Sequence, residues 1–166
     1  MTGIASSGRA LGSICSKVRQ NKEIGYKTYS NLYYCGVSQI LDYCSGVWGY
    51  GKLDKINSIQ NRAISYYLGT ERFSPYVAID GDIGWISSHT RRIVEMGRLW
   101  NRFTNMSNER LTKNIFIWDK GVCKRNWSSE IQKVFFIHGF QNEYGTDLHI
   151  NISHLYEQVH VLASNQ

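Results

Sequence analysis

Residues 88–104 read SHTRRIVEMGRLWNRFT, and this stretch decides the class of fold. Its apolar residues recur at spacings of three and four, which is the period of an α-helix with one buried face. Ser87 or Ser88 can cap this helix, because a serine oxygen accepts a hydrogen bond from the unpaired N–H groups of the first turn. We expect the core-facing stripe to consist of Ile93, Met96, Trp100 and Phe103.

The same helical period extends to both sides of this stretch. The chain has a single proline, and its glycines fall mostly between the periodic blocks, as in a string of helices joined by short turns. The sequence therefore predicts a mainly α fold, an irregular multi-helix bundle joined by short glycine-containing turns. We expect the other helices over 4–19, 27–45, 52–68, 75–80, 109–119, 127–138 and 152–163.

The periodicity weakens after Gly139. We therefore expect one helical region over 1–139 and a weakly defined C-terminal tail over 140–166, helical at 152–163.

Two of the predicted helices have a clear division between an apolar and a polar side. Over 52–68, Lys55 and Arg62 lie seven residues apart, opposite the apolar stripe, which predicts a solvated basic face. Over 27–45, the expected core-facing residues are Leu32, Tyr33, Val37, Ile40, Leu41 and Cys44.

The charge balance favours a polyanionic partner. Formal net charge is +6 and the sequence pI is about 9.2, a bias that steers phosphate-bearing ligands towards the chain and releases their counterions on binding. The bias is moderate, and many soluble domains share it.

The sequence points away from membranes and the secretory pathway. It has no apolar run of about 18 residues, and its first residues carry no basic and apolar signal-peptide pattern. Asn-x-Ser matches at Asn105, Asn126 and Asn151 are interpreted as chance. The cysteines lack C-x-x-C spacing, and we expect reduced, buried thiols at Cys15, Cys35, Cys44 and Cys123.

Catalytic and metal-binding chemistry finds little support. Two-metal phosphoryl transfer needs clustered carboxylates, and no two acidic residues are adjacent anywhere in the chain. The closest approach, Asp80 and Asp82, is interpreted as a solvated turn; a hydrolase using this pair is a third option, which Asp82→Asn would test. We expect no catalytic residue, no metal site and no cofactor.

Two further patterns are interpreted as structural. The segment GVWGYGK (46–52) has the spacing of a phosphate loop, but Leu53 stands where Ser or Thr is needed, so we expect only a glycine-rich turn. The histidines share no i, i+4 pair and are expected at the surface, at positions 89, 138, 149, 154 and 160.

The basic and aromatic residues allow two interpretations. In the first, a helical surface contacts nucleic-acid phosphates, with Trp48 or a tyrosine near the bases. In the second, Glu95 pairs with Arg91 and Arg98, and all tryptophans belong to the core. The candidate nucleic-acid-binding residues of the first interpretation are Lys55, Arg62, Arg91, Arg92, Arg98 and Arg102.

Four blocks in register resemble the region that follows the palm in reverse transcriptases of non-LTR, LINE-class retrotransposons. They are ILDYCSGVWG (40–49), IQNRAISYYLG (59–69), GDIGW (81–85) and RRIVEMGRLWNR (91–102). SGRALGSICSK (7–17) is similar to the first helix after the palm, and NERLTKNIFIWD (108–119) with NWSSEIQKVF (126–135) is similar to the tail of jockey-like elements. The resemblance covers residues 7 to 135.

This resemblance implies a helical thumb and linker that grip template RNA and primer DNA, inside the cell, beside the palm and fingers of a parent RNA-directed DNA polymerase. Gln39 and Ser87 stand where the family usually has proline, which suggests a decayed or truncated copy. The leading hypothesis is a fragment that binds RNA or DNA backbone weakly, without sequence specificity, chemistry or membrane contact. The alternative is a helical protein-interaction module or a functionless translated fragment.

Overall fold

A computed structural model describes residues 2–21, 24–51, 53–70, 83–122 and 124–164. Throughout these ranges the regular secondary structure is helical, without a strand, so the predicted mainly α class is confirmed. Gly69 and Gly139 follow helices with φ of 63° and 83°, a conformation that glycine adopts without a Cβ clash. The helix predicted over 75–80 lies outside the described residues.

The helices follow the sequence periodicity closely, with two short additions. The additions are α4 and α9, and a π-helical turn interrupts the second long segment. In chain order the elements are α1 Thr2–Gln20, α2 Tyr26–Tyr33, the π-helical turn Tyr34–Ser38, α3 Gln39–Leu41, α4 Ser45–Trp48, α5 Asp54–Leu68, α6 Ser88–Thr104, α7 Leu111–Val122, α8 Trp127–Ile137, α9 Gln141–Thr146 and α10 Ile152–Ser164.

The chain forms two compact units, and none of the three boundaries between them lies at residue 139. The N-terminal unit comprises Met1–Tyr43 and Lys52–Ser88, and the C-terminal unit comprises Cys44–Gly51 and His89–Gln166. The division predicted from the sequence, 1–139 and 140–166, is therefore not the division that the structure has. Residues 141–164 contribute α9 and α10 to the C-terminal unit.

In the core of the N-terminal unit, buried residues recur every four positions, rather than at alternating spacings of three and four. Tyr29, Tyr33, Val37 and Leu41 are all buried. In a pure α-helix such a repeat would drift around the axis, and the wider π-helical turn at 34–38 takes up this drift.

The apolar stripe predicted over 27–45 is buried only in part. Leu32 and Ile40 are exposed, because the register that buries Tyr33, Val37 and Leu41 turns them outward. Cys44 is exposed because it lies in the turn between α3 and α4, with φ of 55°. Cys35 is exposed as well and Cys15 is half-buried, so the prediction of buried thiols is wrong for Cys35 and Cys44. Cys123 lies outside the described residues.

Trp85 completes this core. Its ring stacks on Tyr33 with centroids 4.3 Å apart, and its indole N–H donates to Ser30 Oγ at 3.1 Å. The Tyr29 hydroxyl donates to the Ala63 carbonyl at 2.7 Å, which ties α2 to α5. These two hydrogen bonds satisfy the Trp85 indole N–H and the Tyr29 hydroxyl inside the unit.

The C-terminal unit is organised around Trp100, which has no exposed surface. Phe116 and Phe135 meet its ring edge-on, and Tyr144 stacks on it with centroids 5.1 Å apart. Trp100 lies in the stripe predicted on α6, and the burial of Ile93 and Met96 confirms that stripe.

Asn101 attaches the C-terminal segment to α6. Its amide donates to the Ile150 carbonyl and accepts from the Ile150 N–H, both at 2.8 Å and both buried. The Trp100 indole N–H donates to the Leu148 carbonyl at 3.1 Å. Residues expected to form a loose tail therefore line the core, where Leu155 and Val159 are buried.

The glycine-rich segment serves packing within the C-terminal unit. A Cβ on Gly46 would lie 2.9 Å from the Glu95 carbonyl oxygen, and one on Gly49 would lie 2.8 Å from Arg92 Cβ. These glycines let α4 approach α6 closely. Gly46 lies inside α4 and Gly49 in the turn that follows it, so the glycine-rich turn expected over 46–52 is present only in part.

Candidate nucleic-acid interface

The six candidate residues lie on two helices, one in each compact unit. Lys55 and Arg62 are on α5 of the N-terminal unit, and the four other arginines are on α6 of the C-terminal unit. Each group therefore forms a surface of its own.

On α5, Lys55 and Arg62 are both exposed, while Ile56, Ala63 and Ile64 on the other side are buried. Seven residues separate the two cations, which places them on one face about 10 Å apart along the axis. The Arg62 guanidinium lies against α1, where Nη2 donates to the Gly8 carbonyl at 3.4 Å. A basic face on this helix is thus present.

Helix α1 adds cations that the sequence interpretation did not single out. Arg9, Lys17 and Arg19 are exposed, and the helix carries no acidic residue, a signal already visible in the sequence. Burial raises the pKa of the Cys15 thiol, and the positive charges of Arg62 and Arg19 partly offset that rise. Arg62 and Arg19 therefore act on one small region between α1 and α5.

The cations of α1 and α5 keep their charge uncompensated locally. Among the residues that the structure describes, no carboxylate pairs with Lys55, Arg62 or Arg19. An exposed, unpaired guanidinium or ammonium group can exchange its hydration and counterions for a phosphate at little cost. These three residues are therefore the best candidates for phosphate contacts in the N-terminal unit.

On α6, Arg91, Arg98 and Arg102 follow spacings of seven and four and share one face with Glu95. Arg98 and Arg102 are exposed, whereas Arg91 is half-buried. Arg98 forms an ion pair with Glu95, as the second interpretation of the sequence predicted. This face carries cations, but one acidic residue in its centre weakens its field.

Arg92 does not belong to this face, because its side chain is fully buried, with 0% of its surface exposed. Met96 lies four residues further along the helix, on the same buried side, which is the signal that could have placed Arg92 inside. Arg92 could meet a phosphate only by leaving the core. Its proposed role as a phosphate contact is therefore wrong for this conformation.

Two lysines of α7 stabilise the C-terminal unit from within. Lys113 Nζ donates to the Phe103 and Thr104 carbonyls at 2.9 and 3.1 Å, where α6 ends and its carbonyls lack helical partners. Lys120 Nζ donates to the Tyr144 carbonyl at 2.8 Å and pairs with Asp147 at 2.6 Å. Neither ammonium group is available to a ligand without breaking these bonds.

The five tryptophans differ in burial, which neither interpretation of the basic and aromatic residues predicted. Trp85 and Trp100 are buried, while Trp48 and Trp127 are half-buried. Trp118, in contrast, has 68% of its surface exposed. Of the five, it alone presents most of its ring to solvent, on α7 and away from the core.

The described chain holds no grouping of histidine, cysteine and carboxylate side chains suited to a metal ion. Asp80 and Asp82 lie outside the described residues. His149, His154 and His160 are exposed as predicted, but His89 and His138 are half-buried, since both pack into the C-terminal unit. Burial lowers the pKa of His138, and the nearby His89 lowers it further.

None of the helices that the structure describes is long and apolar enough to cross a bilayer.

Comparison with known proteins returned no family model, no curated protein and no solved structure that matches this chain.

Proposed function

We propose that this chain binds the phosphate backbone of RNA or DNA, weakly and without sequence specificity, and performs no chemistry of its own. The observation that carries the proposal is the exposed cationic surface of the N-terminal unit, where Lys55, Arg62 and Arg19 lack carboxylate partners within the described chain. The exposed Arg98 and Arg102 of α6 would add contacts of their own.

The resemblance to the post-palm region of non-LTR reverse transcriptases supports this proposal. A thumb-like segment grips a duplex through helices, and a mainly α chain with basic helix faces suits that task. The sequence has no adjacent acidic pair, so a binding role without phosphoryl transfer follows from its composition. A fragment of a retrotransposon-encoded RNA-directed DNA polymerase is the origin we propose.

The test is a titration of the purified chain with a fluorescent RNA–DNA duplex at two salt concentrations. Each neutralised phosphate adds close to one unit to the slope of log affinity against log salt, and we expect three or four contacts. Affinity should therefore fall about 50-fold or more between 50 and 200 mM salt. An affinity that does not change with salt concentration, or no binding at low salt, would contradict the proposal.

A matched variant locates the binding surface. Lys55→Gln combined with Arg62→Gln removes two unpaired charges and should reduce the salt slope by about two units. Lys133→Gln is the control, because Lys133 is also exposed but is already paired with Glu130 at 2.7 Å. If both variants lost the same amount of affinity, binding would depend on overall charge rather than on the basic face of α5.

A second candidate function is a helical protein-interaction module, and the exposed face of α7 favours it. This face consists of four solvent-exposed apolar residues, Leu111, Ile115, Trp118 and Val122. Apolar residues in such a row mark interaction sites more often than inert surface. A cooperative thermal transition by circular dichroism would separate this function from a fragment unable to fold, which should melt without a transition.

A further inference from the structure

We propose that α7 is the interface of a homodimer, in which two copies of this chain pair their α7 helices antiparallel about a two-fold axis. The inference rests on the second candidate function, the interaction module, and is independent of nucleic-acid binding. It names the partner of the apolar face as a second copy of the same chain.

The face in question is a seam of four apolar residues, Leu111, Ile115, Trp118 and Val122. Their spacings of four, three and four are those of the contact positions in paired helices. The fractions exposed are 74%, 55%, 68% and 42%. The opposite face of α7 holds the buried Phe116 and Lys113, so the helix has one side in the core and one apolar side in solvent.

A cavity of about 210 Å³ lies beside this seam. The residues that line it include Ile115 and Asp119 of α7, together with Val47, Phe103 and Trp127. Because Ile115 belongs both to the lining and to the seam, the cavity adjoins the seam. A large apolar side chain from a partner could enter here next to Ile115.

The order of residues along α7 is self-complementary. An antiparallel partner related by a two-fold axis between positions 116 and 117 places Leu111 opposite Val122 of the second copy. The same axis places Trp118 opposite Ile115 of the second copy. Each Trp118 ring then lies at the mouth of the partner's cavity, and the two contacts are identical, as a two-fold interface requires.

The charges that flank the helix fit the same axis. Glu109 lies two residues before α7 and Lys124 two residues after it, and both are exposed. Neither makes an ion pair in the described part of the chain. Antiparallel pairing brings Glu109 and Arg110, which together carry no net charge, next to Lys124 and Arg125 of the second copy. Parallel pairing would instead bring Lys124 and Arg125 of both copies together, four cations in all. The charge pattern therefore selects the antiparallel arrangement.

The size of the seam sets the expected strength. Helix α7 has 12 residues and is about 18 Å long, so one helix pair buries less than a standard interface of about 800 Å² per partner. We expect dimers with a dissociation constant on the order of 10 μM.

The test is sedimentation equilibrium of the full chain from about 1 to about 300 μM, a range that brackets this constant. We expect the average mass to rise from monomer to dimer across the series. Trp118→Ala should weaken association at least tenfold, because a central tryptophan is a typical anchor. Phe136→Ala is the control, since Phe136 is 67% exposed but lies on α8 outside the seam. The proposal is overturned if the wild-type chain stays monomeric over the whole concentration range. It is also overturned if the two variants lose the same amount of dimer affinity.

A charge exchange tests the direction of pairing. Glu109→Lys and Lys124→Glu should each weaken the dimer, because each sets like charges side by side, and the double variant should restore it. A double variant as weak as either single one overturns the antiparallel axis.

Two added measurements distinguish a dimer seam from a lipid-binding surface and from a nucleic-acid site. Binding to phosphatidylcholine vesicles by a chain that stays monomeric in solution would assign the seam to lipid and overturn the dimer. Trp118→Ala should retain the salt-dependent duplex binding of the wild-type chain, so loss of the dimer and loss of nucleic-acid binding are separable. If Trp118→Ala abolished both, the seam would belong to the nucleic-acid site instead.

Discussion

The two compact units differ most in what their exposed helices present to solvent. The N-terminal unit shows unpaired cations on α1 and α5, whereas the C-terminal unit shows an apolar seam on α7 and an arginine face interrupted by Glu95. A net charge of +6 describes neither surface, because composition averages over them. One chain can therefore carry a polyelectrolyte-binding face and a protein-binding face on separate helices.

The interiors differ as well, although each contains one central tryptophan. Trp85 stacks on Tyr33 and donates to a side-chain hydroxyl. Trp100 meets two rings edge-on, stacks on Tyr144 and donates to the Leu148 backbone, 48 residues away. The C-terminal unit thus depends on a distant segment of chain for its closure. Substitutions and pH changes in each unit test this difference.

Replacing Trp100 with alanine should cost about 3–5 kcal/mol, because it opens a cavity where Phe116, Phe135 and Tyr144 meet. Urea denaturation measures the loss in stability, and hydrogen exchange should show lost protection in α6, α8 and α10. Trp118→Ala, measured at about 1 μM to keep the chain monomeric, should change stability by no more than about 0.5 kcal/mol. Similar losses in the two variants would mean that Trp100 is not the centre of the core.

Asn101→Ala should destabilise the C-terminal unit by about 2 kcal/mol, because it leaves the buried N–H and carbonyl of Ile150 without partners. Thermal denaturation measures the loss, and limited proteolysis should cut first near residues 147–151. Asn108→Ala, at an exposed position between α6 and α7, provides the matched substitution and should have little effect. Unchanged proteolysis in Asn101→Ala would show that the amide does not hold this segment.

The smallest effects are those of pH, and they have opposite signs in the two units. His138 has a lowered pKa, so its unfolded form takes up a proton first and the C-terminal unit should lose stability as pH falls below about 6.5. Cys15 and Tyr29 have raised pKa values, mainly because of burial, so their stabilisation is complete below about pH 9 and is lost as pH rises further.

Hydrogen exchange with mass spectrometry across this pH range, after correction for the intrinsic exchange rate, measures each unit separately. His138→Gln should remove the acid-side loss in α8, and Cys15→Ala should reduce the alkaline-side loss in α1. Acid sensitivity that persisted in His138→Gln would point to carboxylates rather than to this imidazole.

The sequence predicted the elements better than their contacts. Local periodicity was sufficient for α6, where Ile93, Met96 and Trp100 are buried as expected. Over 27–45 it held for Tyr33, Val37 and Leu41 and failed for Leu32 and Ile40, because a helical wheel assumes one constant period and the π-helical turn changes that period within the helix. The repeat of four residues from Tyr29 to Leu41 is the local signal of this turn.

The candidate interface was predictable only in part, for the same reason. Lys55 and Arg62 are exposed because the apolar stripe of α5 lies opposite them, which depends on the helix alone. Arg92 lies close to Gly49, and Asn101 binds Ile150; both contacts join segments more than 40 residues apart. Charge and spacing along one helix carry no information about such partners.

The two hydrogen bonds between Asn101 and Ile150 make the segment after Gly139 important for the stability of the C-terminal unit. A frameshift or stop codon near Gly139 would delete Ile150, Leu155 and Val159 and would open one side of the interior around Trp100. Loss of residues 140–166 would therefore damage the centre of the C-terminal unit.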